Sequence, residues 1–505
     1  MITRFVIFVI LICINFCFYQ AGIAKPVEET FSVKLLEQID FNNNLDNFNT
    51  NLSTPSLALN ENPILTFENF ITYVRNNYPD IISAKLEKQI ASSKRLEAQG
   101  AFDPSINSRN FYNHFNSSSA PGVDQSAFTS DTSFDILTRQ GARFGLGAKY
   151  AEGDIKTPIS PTGDTGEYYI KLQIPLLRDS INNSSNIKEK SAKLNEIIAD
   201  FLLYRSQLMI TGSAANAYWD WVAAKRTWDV ESGLRDLING QVAFVGEQSN
   251  LGNLPQIATV EAERELQSRI GKVNSSLRIL QNSTINLSKF LWNQNGHPCA
   301  MPLPSQVPEF INPPKAITME ELQEAKLRSL ATRPEFKAID LTREISRLEH
   351  KLAKNQILPR LDAYLNQGIE TGQDSIGPTL EAGINLSLPL RVRSAKGQMQ
   401  QAEFKIKQLN LQERQLIQNV FMEIEDTASQ INTAYSRYIA ANSEYQLSQK
   451  LEDAEREIFA QGDSTLFVVI RRQRDTVVAK TELIKTITDY YKARARFMLV
   501  QGELI

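Results

Sequence analysis

The sequence predicts an α+β membrane protein, a long α-helical barrel continuous with a transmembrane β-barrel, built from duplicated helix-strand-strand-helix units. Three observations carry this. Short segments alternate apolar and polar residues, as Leu380, Ala382, Ile384, Leu386 and Leu388 do against Glu381, Gly383, Asn385 and Ser387; such a strand suits a wall with lipid on one side and water on the other, and also a half-buried sheet. Long proline-free stretches follow them, from Ser394 to about Ala460 and from about Asn186 to Gln248. The same landmarks then occur twice, in the same order.

The chain of 505 residues is 42% hydrophobic, which is the content of a folded protein, and its formal charge of -3 gives no basic surface for nucleic acid. Residues 1–24 read as a signal peptide. Arg4 precedes an apolar run from Phe5 to Tyr19, and Gly22-Ile23-Ala24 supplies small residues for cleavage before Lys25. That run is shorter than the roughly 20 residues a spanning helix needs. Cys13 and Cys17 follow Ile12 and Phe16 rather than small residues, which argues against lipidation. Cys299 is the one cysteine beyond this segment, so no internal disulfide is expected. Residues 25–63 are polar and asparagine-rich and read as a flexible N-terminal arm.

Residues 64–292 form the first unit, 293–316 a proline-rich linker and 317–505 the second unit. Pro79 and Pro104 bracket a helical pattern through Leu86, Ile90 and Ala98; Pro334 and Pro359 bracket Leu341, Ile345 and Ala353 at the same separation. Strands are expected at about 104–116, 127–137, 143–151 and 167–175 in the first unit, and at about 360–369 and 380–389 in the second. The segments 127–137 and 143–151 form an additional hairpin across "TRQG", so each chain carries either four or six strands.

Each unit then passes from strand to long helix at a proline, Pro175 in "IPLLR" and Pro389 in "LPLRV". Proline removes a ladder donor where pairing ends and is tolerated in a helix's first turn, so the spacing predicts a strand running coaxially into a helix with no loop between them. In the second helix the seam Ala428, Ile431, Tyr435, Tyr438, Asn442, Tyr445 averages 3.5 residues per turn, which is coiled-coil spacing. Gly252 and Gly462 break the two long helices and mark tight turns at the helix tips. Four strands close no barrel, since about eight are needed to enclose even a packed interior, so copies of the chain must pool their strands.

These residues resemble the TolC-like outer-membrane efflux proteins, the outer-membrane factors. The resemblance covers Leu65 to Gly502 and rests on "LTFENFITYVRNNYPDI" with "MEELQEAKLRSLATRPEF", on the two junctions and on the glycine turns. It implies a homotrimer in the cell outer membrane, with the helical barrel in the periplasm. It also implies a duct that receives substrates from an inner-membrane transporter and a periplasmic adaptor and performs no chemistry, without cofactor or metal. A wall including the extra hairpin would exceed the family's usual twelve strands. In the family, aspartates six and nine residues after the second turn glycine line a periplasmic constriction. Here those positions are Val468 and Arg471, with Asp463 beside the glycine and with Ala258 and Glu261 at the same offsets after Gly252. Arg471, paired with Glu261 of a neighbouring helix, is the expected gate.

Two further readings stand beside the efflux duct: the outer-membrane duct of a type I protein secretion system, and a secreted coiled-coil structural protein that would leave the amphipathic strands without a role. An enzyme has little support. His114, His297 and His350 are scattered, none at metal-ligand spacing from another histidine or cysteine, and no phosphate-binding loop or nucleophile elbow occurs.

Overall fold

Helix starts are written in local chemistry. The structure, a computed structural model, describes residues 64–116, 124–154, 162, 165–310, 314–372 and 377–504; the signal peptide and the arm lie outside these. Helix α1 (Phe67–Asn77) is capped by Thr66, whose hydroxyl accepts from the Asn69 N–H at 3.3 Å. Helix α2 (Pro79–Gln99) begins on a proline that needs no backbone donor there. The second half repeats this start. Thr318 and Glu321 form a reciprocal capping box on α5 (Met319–Thr332), and α6 (Pro334–Asn355) again opens on proline.

After α2 come strands β1 (Ser105–Asn116), β2 (Asp124–Leu137), β3 (Arg143–Gly153) and β4 (Glu167–Pro175); after α6 come β5 (Arg360–Glu370) and β6 (Pro378–Ser387). All six lie in one antiparallel sheet in sequential order. The segment across "TRQG" is a tight hairpin, with Leu137 opposite Arg143 and the Thr138 N–H on the Ala142 carbonyl at 2.8 Å. The two halves of the chain meet at β4 and β5, where Leu172 faces Leu365.

Each half continues into a helix of unusual length, α3 (Ser184–Asn250, 67 residues) or α7 (Arg393–Ala460, 68 residues). At 1.5 Å per residue each spans about 100 Å. Helices α4 (Gln256–Ser288) and α8 (Leu466–Val500) return along them. Helix α3 packs against α2, α4, α6 and α8, and α7 packs against α6 and α8.

Burial concentrates halfway along the long helices. Trp221 and Tyr218 of α3 are fully buried with Phe70, Ile71 and Val74 of α1, and Ile424 and Ile431 of α7 are buried with Phe336, Tyr490 and Phe497. Complete burial of one such side chain is worth about 1.5–3 kcal/mol. The rings of Trp219 and Tyr491 stack 4.3 Å apart and tie α3 to α8.

Two sequence expectations need correction. The buried line of α7 runs through Ala395, Ala402 and Leu409, then Val420, Ile424, Thr427, Ala428, Ile431, Ala434 and Ala441, so Ala428 and Ile431 lie on it as expected, and alanines continue it where Tyr435 and Asn442 were expected. Tyr435, Tyr438, Asn442 and Tyr445 flank it half-buried. Alanine lets neighbouring backbones approach closely, and a tyrosine at the centre would hold them apart. Nor does a strand pass into a helix without a link. Residues 176–183 separate β4 from α3, and residues 388–392 separate β6 from α7. At the first link the cause is capping, whereas Val392 starts α7 without a side-chain cap. Asn183 accepts from the Asn186 N–H at 2.8 Å, which requires extended backbone before the first turn, while the Leu176 N–H still bonds the Leu361 carbonyl at 2.7 Å. Pro175 is thus the last residue of β4, and Pro389 lies within the second link rather than in a helix.

Candidate functional site: a sheet with open edges and two helix tips

The sheet sorts its side chains by face. Phe134, Leu146 and Ile170 align across β2, β3 and β4; Phe144, Leu172, Leu365 and Ala382 align across β3 to β6. This apolar face is uncovered: Leu380, Ile384 and Leu386 are 67%, 67% and 68% exposed. Among the described residues no α-helix covers this apolar face. A half-buried sheet of a water-soluble core is therefore not what forms, because such a sheet would hide this face against another layer.

The opposite face is polar and internally bonded. The Tyr169 hydroxyl donates to Asp131, the Lys171 ammonium sits 4.2 Å from the Tyr169 ring centre, and Asn107 and Ser133 both donate to Asp135 at 2.8 Å. Gln173 and Arg360 converge on Asp362, each at 2.8 Å. Tyr169 lies over Gly147 and Tyr364 over Gly383, where any Cβ would collide with the phenol ring. Charged groups and flat-lying aromatics suit a water-filled lumen.

At the inner end of the sheet the β2–β3 turn is fastened to the helices. Arg139 donates two hydrogen bonds to Glu189 of α3, its guanidinium stacks 4.9 Å from the Phe102 ring centre, and the Asn183 side-chain amide donates to the Arg139 carbonyl at 2.9 Å. Gly141 has no room for a side chain, since an added Cβ would lie 2.2 Å from the Asp179 carbonyl oxygen and 3.0 Å from Pro175. Sequence reading marked the turn but not this clamp, because Glu189 lies 50 residues away in the chain.

The far ends of the long helices finish alike. Gly252 and Gly462 have φ of 78° and 90°. In each turn the glycine N–H bonds the carbonyl three residues back, Ser249 or Phe459, at 3.0 Å, and the next N–H reaches Gln248 or Ile458 at 2.9 or 3.1 Å. This is the Schellman cap, which demands a left-handed residue that glycine supplies without a steric penalty. A groove of about 470 Å³ between the two turns brings together Phe244, Glu261, Phe467, Ile470, Arg471 and Arg474. Arg471, Asp463 and Glu261 are exposed and Val468 is half-buried. Glu261 and Arg471 thus share one groove, and among the described residues no ion pair joins them. The three histidines are far apart in role: His114 is on β1, His297 in the linker, and His350 of α6 contacts Glu403 of α7 at 3.2 Å.

No protein-family model matches the chain, and no curated protein sequence matches it. Solved structures do. CusC, described in terms of folding and transmembrane channel formation, shares 12% identity over 86% of this chain and 92% of its own, with a TM-score of 0.62. The outer membrane protein VceC of Vibrio cholerae shares 14% over 86% and 96%, with a TM-score of 0.60. The outer membrane channel MtrE of Neisseria gonorrhoeae, in its open state, shares 12% over 86% and 89%, also at 0.60. In this chain the sheet, apolar on its uncovered face, is continued by two helices about 100 Å long, and the superposition with these structures gives the chain the fold of the TolC-like outer-membrane channels.

Proposed function

We propose that this chain is the outer-membrane exit duct of a tripartite export system. Three copies close one β-barrel in the outer membrane, and their long helices form a hollow barrel crossing the periplasm. Substrates pass to it from an inner-membrane transporter through a periplasmic adaptor. The chain contributes a passage and no chemistry. Its two halves, each with helix, helix, strands, long helix, turn and helix, read as a duplicated unit.

One observation carries the proposal: the sheet leaves its apolar face and both outer edges bare. In water such a surface invites aggregation, and in lipid an open edge leaves backbone donors and acceptors unsatisfied. Closure with further copies, in a bilayer, removes both costs. The helix tips then form the periplasmic gate, with Asp463, Val468, Arg471 and Glu261 near its rim. Three Arg471 side chains about a common axis, balanced by Glu261 of a neighbouring helix, would set its ion preference.

The test is electrical. The full chain purified from outer membranes and placed in planar bilayers should give discrete single-channel steps, and Arg471→Asp should shift the reversal potential towards cation selectivity. Absence of any channel would sink the duct reading. An unchanged reversal potential would sink the gate alone.

A further inference from the structure

The extra hairpin has no counterpart in the second half, where two strands suffice. Its place in the sheet decides what it can be. Strand β2 is paired along its length on both sides, to β1 from Ser105–Asp135 to Asn116–Asp124 and to β3 from Ala127–Gly153 to Leu137–Arg143. Strand β3 in turn carries the ladder on to β4. A flap folded over the barrel mouth would leave β1 joined to nothing, whereas here β1 reaches the rest of the sheet through this hairpin. The apolar face is continuous across it, from Phe134 through Leu146 to Ile170. The Arg139–Glu189 clamp and the contact of Gly141 with the Pro175 junction hold its turn at the level where strands give way to helices.

We propose that the hairpin is a permanent part of the barrel wall, that every copy contributes six strands, and that copies join by antiparallel pairing of the β1 edge of one with the β6 edge of the next. This rests on the duct reading for the membrane setting and for three copies; it goes beyond that reading in the size of the wall and in the seam. The two edge strands have similar lengths, 12 and 10 residues. Six alternating strands leave β1 and β6 running in opposite directions, so head-to-tail repetition closes an antiparallel ring without a mismatched pair. Both edges also carry complementary charge on the polar face. Arg109 of β1 lies 5.1 Å from the Phe111 ring centre and pairs with no carboxylate among the described residues, and Glu381 of β6 is held by the Asn366 amide at 3.0 Å. Three copies of a six-stranded sheet give eighteen strands. Since barrel diameter grows roughly linearly with strand number, the lumen is about 1.5-fold wider than that of a twelve-stranded wall.

Electron microscopy of the wild-type oligomer in lipid nanodiscs, at a resolution that separates strands, tests this directly. Three copies with eighteen strands and a β1–β6 seam are expected. Three copies closing twelve strands, with residues 127–151 off the wall, would overturn the inference and leave the duct intact. Two copies closing twelve strands through the same seam would uphold six strands per copy and the seam while overturning the three-copy reading. A wall in which β1 meets any strand other than β6 would overturn the seam.

Discussion

The guanidinium of Arg139 and the carboxylate of Glu189 form a two-pronged pair, Nε to Oε2 at 2.8 Å and Nη2 to Oε1 at 2.7 Å, joining a strand turn to a helix. The Arg139 side chain is 58% exposed and that of Glu189 14%, so solvent screening discounts the pair to about 1 kcal/mol despite its good geometry. Arg139→Ala should therefore raise amide exchange in the 138–142 turn about fivefold, which is that energy expressed as an opening equilibrium. Unchanged exchange there would mean the turn is held by the Asn183 and Gly141 contacts alone.

The same pair sets a pH dependence. Hydrogen bonding to Arg139 holds the Glu189 carboxyl below its ordinary 4.5, against the opposing effect of its burial. A depressed carboxyl contributes stability above its unfolded pKa and loses it as pH falls through the folded one. Arg139 is shifted upwards by the same bond and stays charged throughout the working range. Turn protection should thus be flat at neutral pH and weaken below about 4.5, while Glu189→Gln should flatten that response. A pH response that persists in Glu189→Gln would assign it to another carboxylate.

At the tips, Gly252→Ala and Gly462→Ala force a Cβ into the left-handed region. Nothing else lies within 4 Å of either Cβ position, so the cost is the backbone's own, about 1–2 kcal/mol each. Faster proteolysis at the tips is the expected readout, with asparagine replacements milder than alanine. Equal cleavage in the wild type and the alanine variants would mean that the turn conformation is not held by these caps.

Within α7, Ile431 is fully buried and Tyr435 half-buried. Ile431→Ala should cost about 2–5 kcal/mol and Tyr435→Ala distinctly less, read as denaturation midpoints of the detergent-solubilised oligomer. The reverse order would restore the tyrosine seam.

On β6, Ile384 and Asn385 are neighbours on opposite faces. A lysine on the lipid side costs about 2–4 kcal/mol at mid-depth and little on the lumen side. Ile384→Lys should reduce the heat-resistant oligomer recovered from outer membranes, and Asn385→Lys should leave it unchanged. Unchanged recovery of Ile384→Lys would place water, not lipid, against Ile384.

Local and periodic features were legible in the sequence because they are short-range. Alternation in β6 fixes two faces, and glycine after a long helix marks a tight turn at the helix tip. The "TRQG" hairpin was legible for the same reason. Arg139 with Glu189, Tyr169 over Gly147 and Glu261 beside Arg471 were not, since each joins segments whose proximity depends on how strands and helices assemble. The α7 seam was read one position off at Tyr435 because aromatic residues dominate a hydrophobicity pattern, while close helix packing selects for small ones.

What the amino-acid order determined by itself was the inventory: four or six strand segments, two helices near 70 residues, glycine stops and a two-fold recurrence. All of these follow from backbone sterics and from side-chain period. Tertiary structure alone decided that the six strands form one ladder with its apolar face bare, that links of several residues separate strands from helices, and that the β2–β3 turn is bolted to α3. Pairing order and packing depend on which distant donors and acceptors find each other, and no local period encodes that.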